Sequence, residues 1–118
     1  MRETEMSKTS QMQIRVTYAD TDKMGFVYYA NYFVYFERGR TEWLRENGLV
    51  YNEMEQKGLF FPVVEAECIY KMPARYDDLI TLRTSLSDVS FASIEFSYEV
   101  FKEGKLLTEG RTKHPLVN

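Results

Sequence analysis

One histidine, His114, and one cysteine, Cys68, are all that this chain of 118 residues contains of either type. A lone cysteine forms no intrachain disulfide and excludes two-cysteine zinc sites, and a lone histidine leaves scant material for a Ser-His-Asp triad or a histidine-based metal site. No cofactor or metal is therefore expected. Neither sign of charge dominates either: charged residues make up 28% of the chain and the net charge is −3, so no nucleic-acid or membrane-surface partner is implied for the chain as a whole. Long apolar runs are missing too. The opening MRETEMSKTSQM is polar and lacks the apolar stretch of a secretory signal, and no later run approaches a membrane span. The expectation is a cytoplasmic protein without membrane insertion. Aromatic residues, by contrast, are plentiful at 15%, which points to apolar surface beyond one small core, as at an interface or in a pocket.

The length suits one domain with a modest core, expected over residues 11–118 behind a flexible segment 1–10. From Gln11 to Tyr18 the residues alternate, with Ile14, Val16 and Tyr18 on one face and Gln13, Arg15 and Thr17 on the other, the period of a half-buried strand. A loop over Ala19–Phe26 follows. From Tyr29 the large residues Tyr32, Phe33, Phe36, Trp43 and Leu44 recur at helical spacing, with Glu37, Arg38, Glu42, Arg45 and Glu46 opposite, so one long amphipathic helix is predicted. Gly48 is placed to cap its end in the left-handed conformation. Gly39 costs such a helix about 1 kcal/mol against alanine, which implies a close backbone approach to a neighbouring element.

A short polar helix is predicted over Tyr51–Lys57, then strands over Phe60–Tyr70, Leu79–Leu86 and Ile94–Val100. A final strand ends near His114, reached through the turn at Lys102-Glu103-Gly104-Lys105. Five strands and one long helix, the strands after the helix running as a meander, define an α+β fold with an antiparallel sheet covering the helix. Apolar residues on both sides of several strands suggest surfaces shared with a partner subunit.

The string YADTDKMGFVYYANY over residues 18–32, FERGRTE from Phe36 and MPARYDD from Met72 together resemble hotdog-fold acyl-CoA thioesterases of the 4-hydroxybenzoyl-CoA thioesterase type, over about Gln11 to Asn118. The resemblance implies a sheet wrapped around one central helix, dimers formed edge to edge with active sites at the interface, and further pairing into tetramers. It implies an acyl-CoA substrate, with acyl carrier protein as an alternative carrier, and matches the family's catalytic carboxylate to Asp22 and a more structural position to Asp20.

The chemistry agrees with that assignment. Thioester hydrolysis needs a nucleophile or a base for water, together with donors aimed at the oxygen that turns negative. A loop carboxylate supplies the first, and the unpaired N–H groups and positive end of a helix supply the second. By register the donor is the backbone N–H of Tyr29. An aspartate before a helix is also commonly a turn or capping residue, so Asp22 carries both readings. Many bacterial relatives carry histidine where this chain has Tyr29, and that puts any histidine-assisted proton transfer in doubt. The expected substrate contacts are Gly25, Val27, Tyr28, Asn31, Phe61, Val63 and Arg83.

Several of these residues carry more than one reading. Gly25 serves either unusual backbone angles or tight ligand contact, and Asn31 either orients the loop acid or caps the helix. Phe60, Phe61, Pro62 and Val63 border an acyl pocket or fill the core. Arg75, Arg83, Arg111 and Lys113 are candidates for coenzyme A phosphates or plain surface charge. Glu37 reads as a solvated or interface charge, His114 as a strand residue without chemistry, and Cys68 as a small core hydrophobe. A second class of function, an acyl-thioester binder that does not cleave, differs from the enzyme in having no need of Asp22.

Overall fold

The strand and helix signals of the sequence are realised as a five-stranded antiparallel sheet and one long helix in the computed structural model of the chain, which describes residues 9–58 and 60–116. The elements are β1 (Thr9–Arg15), α1 (Asn31–Glu46), α2 (Tyr51–Gln56), β2 (Glu65–Tyr70), β3 (Leu79–Val89), β4 (Ser93–Lys102) and β5 (Lys105–Pro115). Strand order across the sheet is β1-β3-β4-β5-β2. The meander holds for β3, β4 and β5 but not for the first strand after the helix. β2 crosses to the far edge and pairs with β5, so β1 and β2 are the two edges.

Strand boundaries differ from the sequence expectation where side-chain period alone was the guide. β1 starts at Thr9 and ends at Arg15, so Thr9 and Ser10 belong to the sheet, and the remainder of the expected flexible segment, residues 1–8, lies outside the described residues. Tyr18 is not on the buried face: a turn of 3-10 helix over Tyr18–Asp20 turns it outward, and it is 79% exposed. The run from Phe60 to Val64 is irregular, and β2 proper begins at Glu65. Pro62 removes one backbone donor from that stretch, which a continuous ladder would need.

One face of the sheet receives α1. Tyr32, Tyr35, Phe36, Gly39, Trp43 and Leu44 are its buried residues, and they meet Ile14 of β1, Ile80 and Leu82 of β3, and Phe96, Tyr98 and Val100 of β4 in a single core. Burying each large apolar side chain contributes about 1.5–3 kcal/mol, which outweighs the modest helix propensity of so aromatic a segment. The Phe36 and Tyr98 rings stack at 4.3 Å and 8°, and Trp43 meets Phe96 edge to face at 5.2 Å. The helix ends as expected, with Gly48 at φ +78° just beyond Asn47. The β4–β5 turn likewise uses positive φ at Glu103 and Gly104.

The opposite face of the sheet is charged and largely paired with itself. Arg83 reaches Glu99 at 3.3 Å, and Arg111 lies within 2.9–3.5 Å of Glu95, Glu67 and Glu65. That face has little apolar surface to share. Exposed apolar side chains line the β2 edge and its approach, at Val63, Val64, Ile69 and Tyr70, and the adjoining side of α1 at Val34, and others stand at the end of β3, at Val89, and in the β3–β4 turn, at Phe91.

Gly39 is the point of closest approach between α1 and the sheet. A Cβ built there would stand 2.3 Å from Thr84 Oγ1 and 2.8 Å from Leu82 Cδ2, so β3 presses on bare helix backbone. Gly39→Ala gains about 1 kcal/mol of helix propensity but overpacks a tight contact at a cost of about 1–3 kcal/mol, and the contact is tight enough for the second effect to win. We expect the variant to melt roughly 4 °C lower than the parent in a thermal denaturation followed by circular dichroism; an unchanged or raised melting temperature would show that the sheet yields freely.

Candidate active site

Residues 17–31 have no ladder of their own, so their backbone groups find partners one by one. Tyr28 N–H donates to the Asp20 carbonyl at 2.9 Å, Val27 N–H donates to the Ala74 carbonyl at 2.9 Å, and isolated bridges join Thr21 to Val27 and Phe26 to Arg75. Inside this frame a tight turn runs from Asp22 to Phe26. Gly25 N–H donates to the Asp22 carbonyl at 3.0 Å, and Asp22 N–H to the Phe26 carbonyl at 2.8 Å. Gly25 has φ +79°, and a Cβ there would meet nothing within 4 Å. Backbone conformation, not close contact within the chain, is what requires glycine at this position.

The two aspartates do different work in this loop. Asp20 Oδ2 accepts the Thr17 N–H at 3.1 Å and the Tyr35 hydroxyl at 3.0 Å, tying the loop to the buried side of α1. Burial, and after it the hydrogen bond and negative charge of Asp20, push the Tyr35 phenol above its ordinary range, so it remains a proton donor to that carboxylate. Asp22 Oδ1 accepts the N–H groups of Met24 at 2.9 Å and Phe26 at 3.2 Å. Its Oδ2 meets no donor among the described residues, and the side chain is exposed. Asp22 is thus a turn residue that keeps one carboxylate oxygen available.

The helix start lies across from that oxygen's loop. Ala30 occupies the capping position without a side-chain cap bond. Asn31 is therefore not the cap: its Nδ2 donates to the Asp20 carbonyl at 2.8 Å and holds the loop in place. The backbone N–H groups of Tyr29 and Ala30 donate to no acceptor among the described residues, which leaves two donors at the positive end of the helix. The Tyr29 carbonyl, in turn, is held by the Tyr70 hydroxyl at 2.9 Å. Asp22, Phe26, Val27, Tyr29, Tyr32 and Tyr70 line one open cleft of about 290 Å³ with Lys71, Met72 and Pro73.

Of the expected substrate contacts, Val27 lines this cleft and Gly25 shapes its loop, while Tyr28 packs its ring against Tyr29 at 4.7 Å. The structure does not bring Phe61, Val63 or Arg83 to the cleft within one chain. Arg83 lies on the outer face of the sheet, paired with Glu99 and over the Phe101 ring. Phe61 and Val63 line a separate pocket of about 260 Å³ with Glu37, Arg40 and His114.

His114 sits in a directed chain of hydrogen bonds at that second pocket. Its Nδ1 lies 3.2 Å from the Phe61 carbonyl, which only accepts, so Nδ1 carries the proton and Nε2 accepts from Thr112 at 2.7 Å. Thr112 takes its own bond from the Tyr98 hydroxyl at 2.6 Å, and Tyr98 accepts from Arg40 at 3.1 Å. Burial first, then the nearby Arg40 charge, pull the imidazole below its usual range. The neutral ring satisfies every partner in this chain and functions as a buried structural group.

Sequence reasoning missed Tyr70, Tyr32 and the Lys71–Pro73 wall of the cleft. Tyr70 is 41 residues from the carbonyl it holds, a separation that no local pattern reports. Among the described residues, no three histidine, cysteine, aspartate or glutamate side chains gather as metal ligands, and no helix is long and apolar enough to cross a membrane.

Comparison with known proteins agrees with this architecture. Residues 16–118 match the family model described as the thioesterase-like superfamily. The chain is 37% identical over 101 residues to the acyl-CoA thioesterase YbgC of Haemophilus influenzae, covering 85% of this chain and 74% of that one. Among solved structures, the hypothetical protein TT1821 from Thermus thermophilus superposes with a TM-score of 0.89 at 42% identity, over 92% of this chain and 82% of that one. The DHNA-CoA thioesterase from Staphylococcus aureus superposes with a TM-score of 0.89 at 32% identity, over 93% and 74%. With the family model matching residues 16–118, acyl-CoA thioesterase relatives above 30% identity and the hotdog architecture in place, the chain belongs to the thioesterase-like superfamily and is a thioester hydrolase.

Proposed function

We propose that this hydrolase cleaves an acyl-CoA thioester, aliphatic or aromatic, to the free acid and the coenzyme thiol, with Asp22 and the Tyr29 N–H as its working groups. The observation that carries the reading is the pairing in one cleft of an Asp22 carboxylate, held through Oδ1 by two backbone N–H groups, with an unpaired N–H at the helix start. The thioester carbonyl oxygen is directed at the Tyr29 N–H, where negative charge develops as the tetrahedral species forms. One such donor is worth roughly 3 kcal/mol of barrier. The free Oδ2 of Asp22 then either attacks the carbonyl carbon or takes a proton from the attacking water. Aromatic rings around the cleft and the S. aureus relative named for an aromatic acyl-CoA support an aromatic acyl group as one substrate class.

The assembly belongs to the same proposal. The β2 edge leaves a row of backbone donors and acceptors without a strand partner beside exposed Val63, Val64 and Ile69, an arrangement that favours pairing with a second copy. A homodimer joined there, and a homotetramer built from two such dimers, would place Phe61 and Val63 of one subunit nearer the cleft of the other.

Three measurements test these statements. Asp22→Asn keeps an oxygen for the Met24 and Phe26 N–H groups, so the fold and thioester binding persist while turnover, followed by thiol release, falls at least about a hundredfold. Asp20→Ala instead leaves the buried Tyr35 hydroxyl without its acceptor and lowers stability by about 1–3 kcal/mol. Near-normal turnover in folded Asp22→Asn, or equal melting temperatures for the two variants, would refute the division of labour. Sedimentation at micromolar concentration is expected to give at least a dimer, and a single-chain mass would remove the edge-to-edge assembly.

A further inference from the structure

The cations of the chain are not alike in how far their charge is already spent. On the outer face, Arg83 is paired with Glu99, and Arg111 is surrounded by Glu65, Glu67 and Glu95. Lys113 stands in register with Glu65 on β2 and Glu95 on β4. At the other end of the sheet the balance differs. Arg75 and Lys105 have no carboxylate within ion-pairing distance among the described residues, and Lys102 holds Asp78 at 2.9 Å. These three cations line one trough of about 340 Å³ against two carboxylates, Asp78 and Glu103. Asp78 is itself occupied, by Lys102 on one oxygen and by the Arg75 N–H at 2.8 Å on the other.

The trough is the continuation of the Asp22 cleft. Met72 and Pro73 form a wall common to both, Lys71 stands on the cleft side, and the Arg75 guanidinium lies 4.7 Å from the centre of the Phe26 ring, which lines the cleft. The cation–π contact with Phe26 holds the guanidinium near the cleft without consuming its N–H donors. A net-negative protein thus presents, next to its reaction cleft, two cations without a carboxylate partner among the described residues, Arg75 and Lys105, and a third, Lys102, shared with Asp78, and planar guanidinium forks suit phosphate oxygens.

We infer that the trough lined by Arg75, Lys102 and Lys105 binds the phosphates of the coenzyme A nucleotide while the thioester lies in the Asp22 cleft. The inference rests on the proposed acyl-CoA activity. It removes Arg83 and Arg111, whose charges are met by glutamates, from the phosphate contacts and adds Lys105, which no sequence motif singled out, with Lys102 beside it still paired to Asp78.

The test presents one acyl group on three carriers, coenzyme A, dephospho-coenzyme A and pantetheine, to the parent chain and to Arg75→Ala, Lys105→Ala and Arg83→Ala. Lys105 does not touch Phe26, so its variant remains informative if Arg75→Ala disturbs the cleft. The KM for the coenzyme A thioester is expected to rise about tenfold relative to the KM for the pantetheine thioester in Arg75→Ala and Lys105→Ala, the scale of one charged hydrogen bond, and to keep its parental ratio in Arg83→Ala. The dephospho substrate separates the 3′-phosphate from the diphosphate: a smaller effect with it assigns the 3′-phosphate to the trough, an equal effect the diphosphate. Unchanged ratios in both trough variants would overturn the inference. The same acyl group on acyl carrier protein is run alongside, and a loss confined to that substrate would also overturn the inference and give the trough to an acidic carrier surface. If the parent hydrolyses none of these substrates, the proposed function fails. Calorimetric titration with adenosine 3′,5′-diphosphate then decides the trough alone: about tenfold weaker binding by Lys105→Ala supports it, and equal binding or none overturns it.

Discussion

The seating of α1 on the sheet is the constraint from which the candidate active site follows. A helix that buries Phe36 against Tyr98 and brings the bare backbone of Gly39 against Thr84 and Leu82 has no freedom to slide or turn without losing both contacts. Its N-terminus is therefore held at one place relative to the sheet. Interiors packed to this density transmit position along a rigid element, and the Tyr29 and Ala30 N–H groups inherit a location set about two turns away. Tyr70 completes the placement from β2 by holding the Tyr29 carbonyl.

The loop before the helix is built on the same logic, with polar contacts in place of apolar ones. Asp20 binds inward, to Tyr35 and Thr17, and its carbonyl takes donors from Tyr28 and Asn31. One residue thus joins the loop's beginning, its end and the buried face of the helix. Asp22 can then carry a free carboxylate oxygen because the turn it caps uses only the other. A carboxylate held by backbone donors has little freedom left, which is the sense in which this turn is pre-organised for the chemistry proposed for it.

Charge is distributed to match. The outer face of the sheet neutralises itself through cross-strand ion pairs, each worth little at an exposed position. Apolar side chains are exposed along the β2 edge as well as at Val89, which ends β3, and Phe91 in the turn after it, and Arg75 and Lys105 bring positive charge without a carboxylate partner among the described residues to the trough beyond Pro73. The β2 edge and the trough flank the cleft on different sides. The buried chain from Arg40 to His114 lies under the Phe61–Val63 segment and gives that irregular stretch, which has no ladder of its own, a fixed partner.

Much of this was legible in the sequence, and the limits are physical. Period-2 and 3.6-residue patterns are local, so the helix, its glycine cap, the close approach at Gly39 and the β4–β5 turn could be read directly, and the Asp-Thr-Asp string identified the loop and the family resemblance. The family resemblance had already set the two aspartates apart, but the contacts by which Asp20 ties the loop, to Tyr35 and Thr17, needed the third dimension. The crossing of β2 to the far edge was equally invisible, because strand order is decided by which faces bury together and not by chain order. Residue type alone set what each cation or carboxylate can do chemically; the tertiary structure decided which of them are already satisfied by neighbours, as Arg111 is by three glutamates, and which, like Arg75 and the Oδ2 of Asp22, meet no ion-pair or donor partner among the described residues.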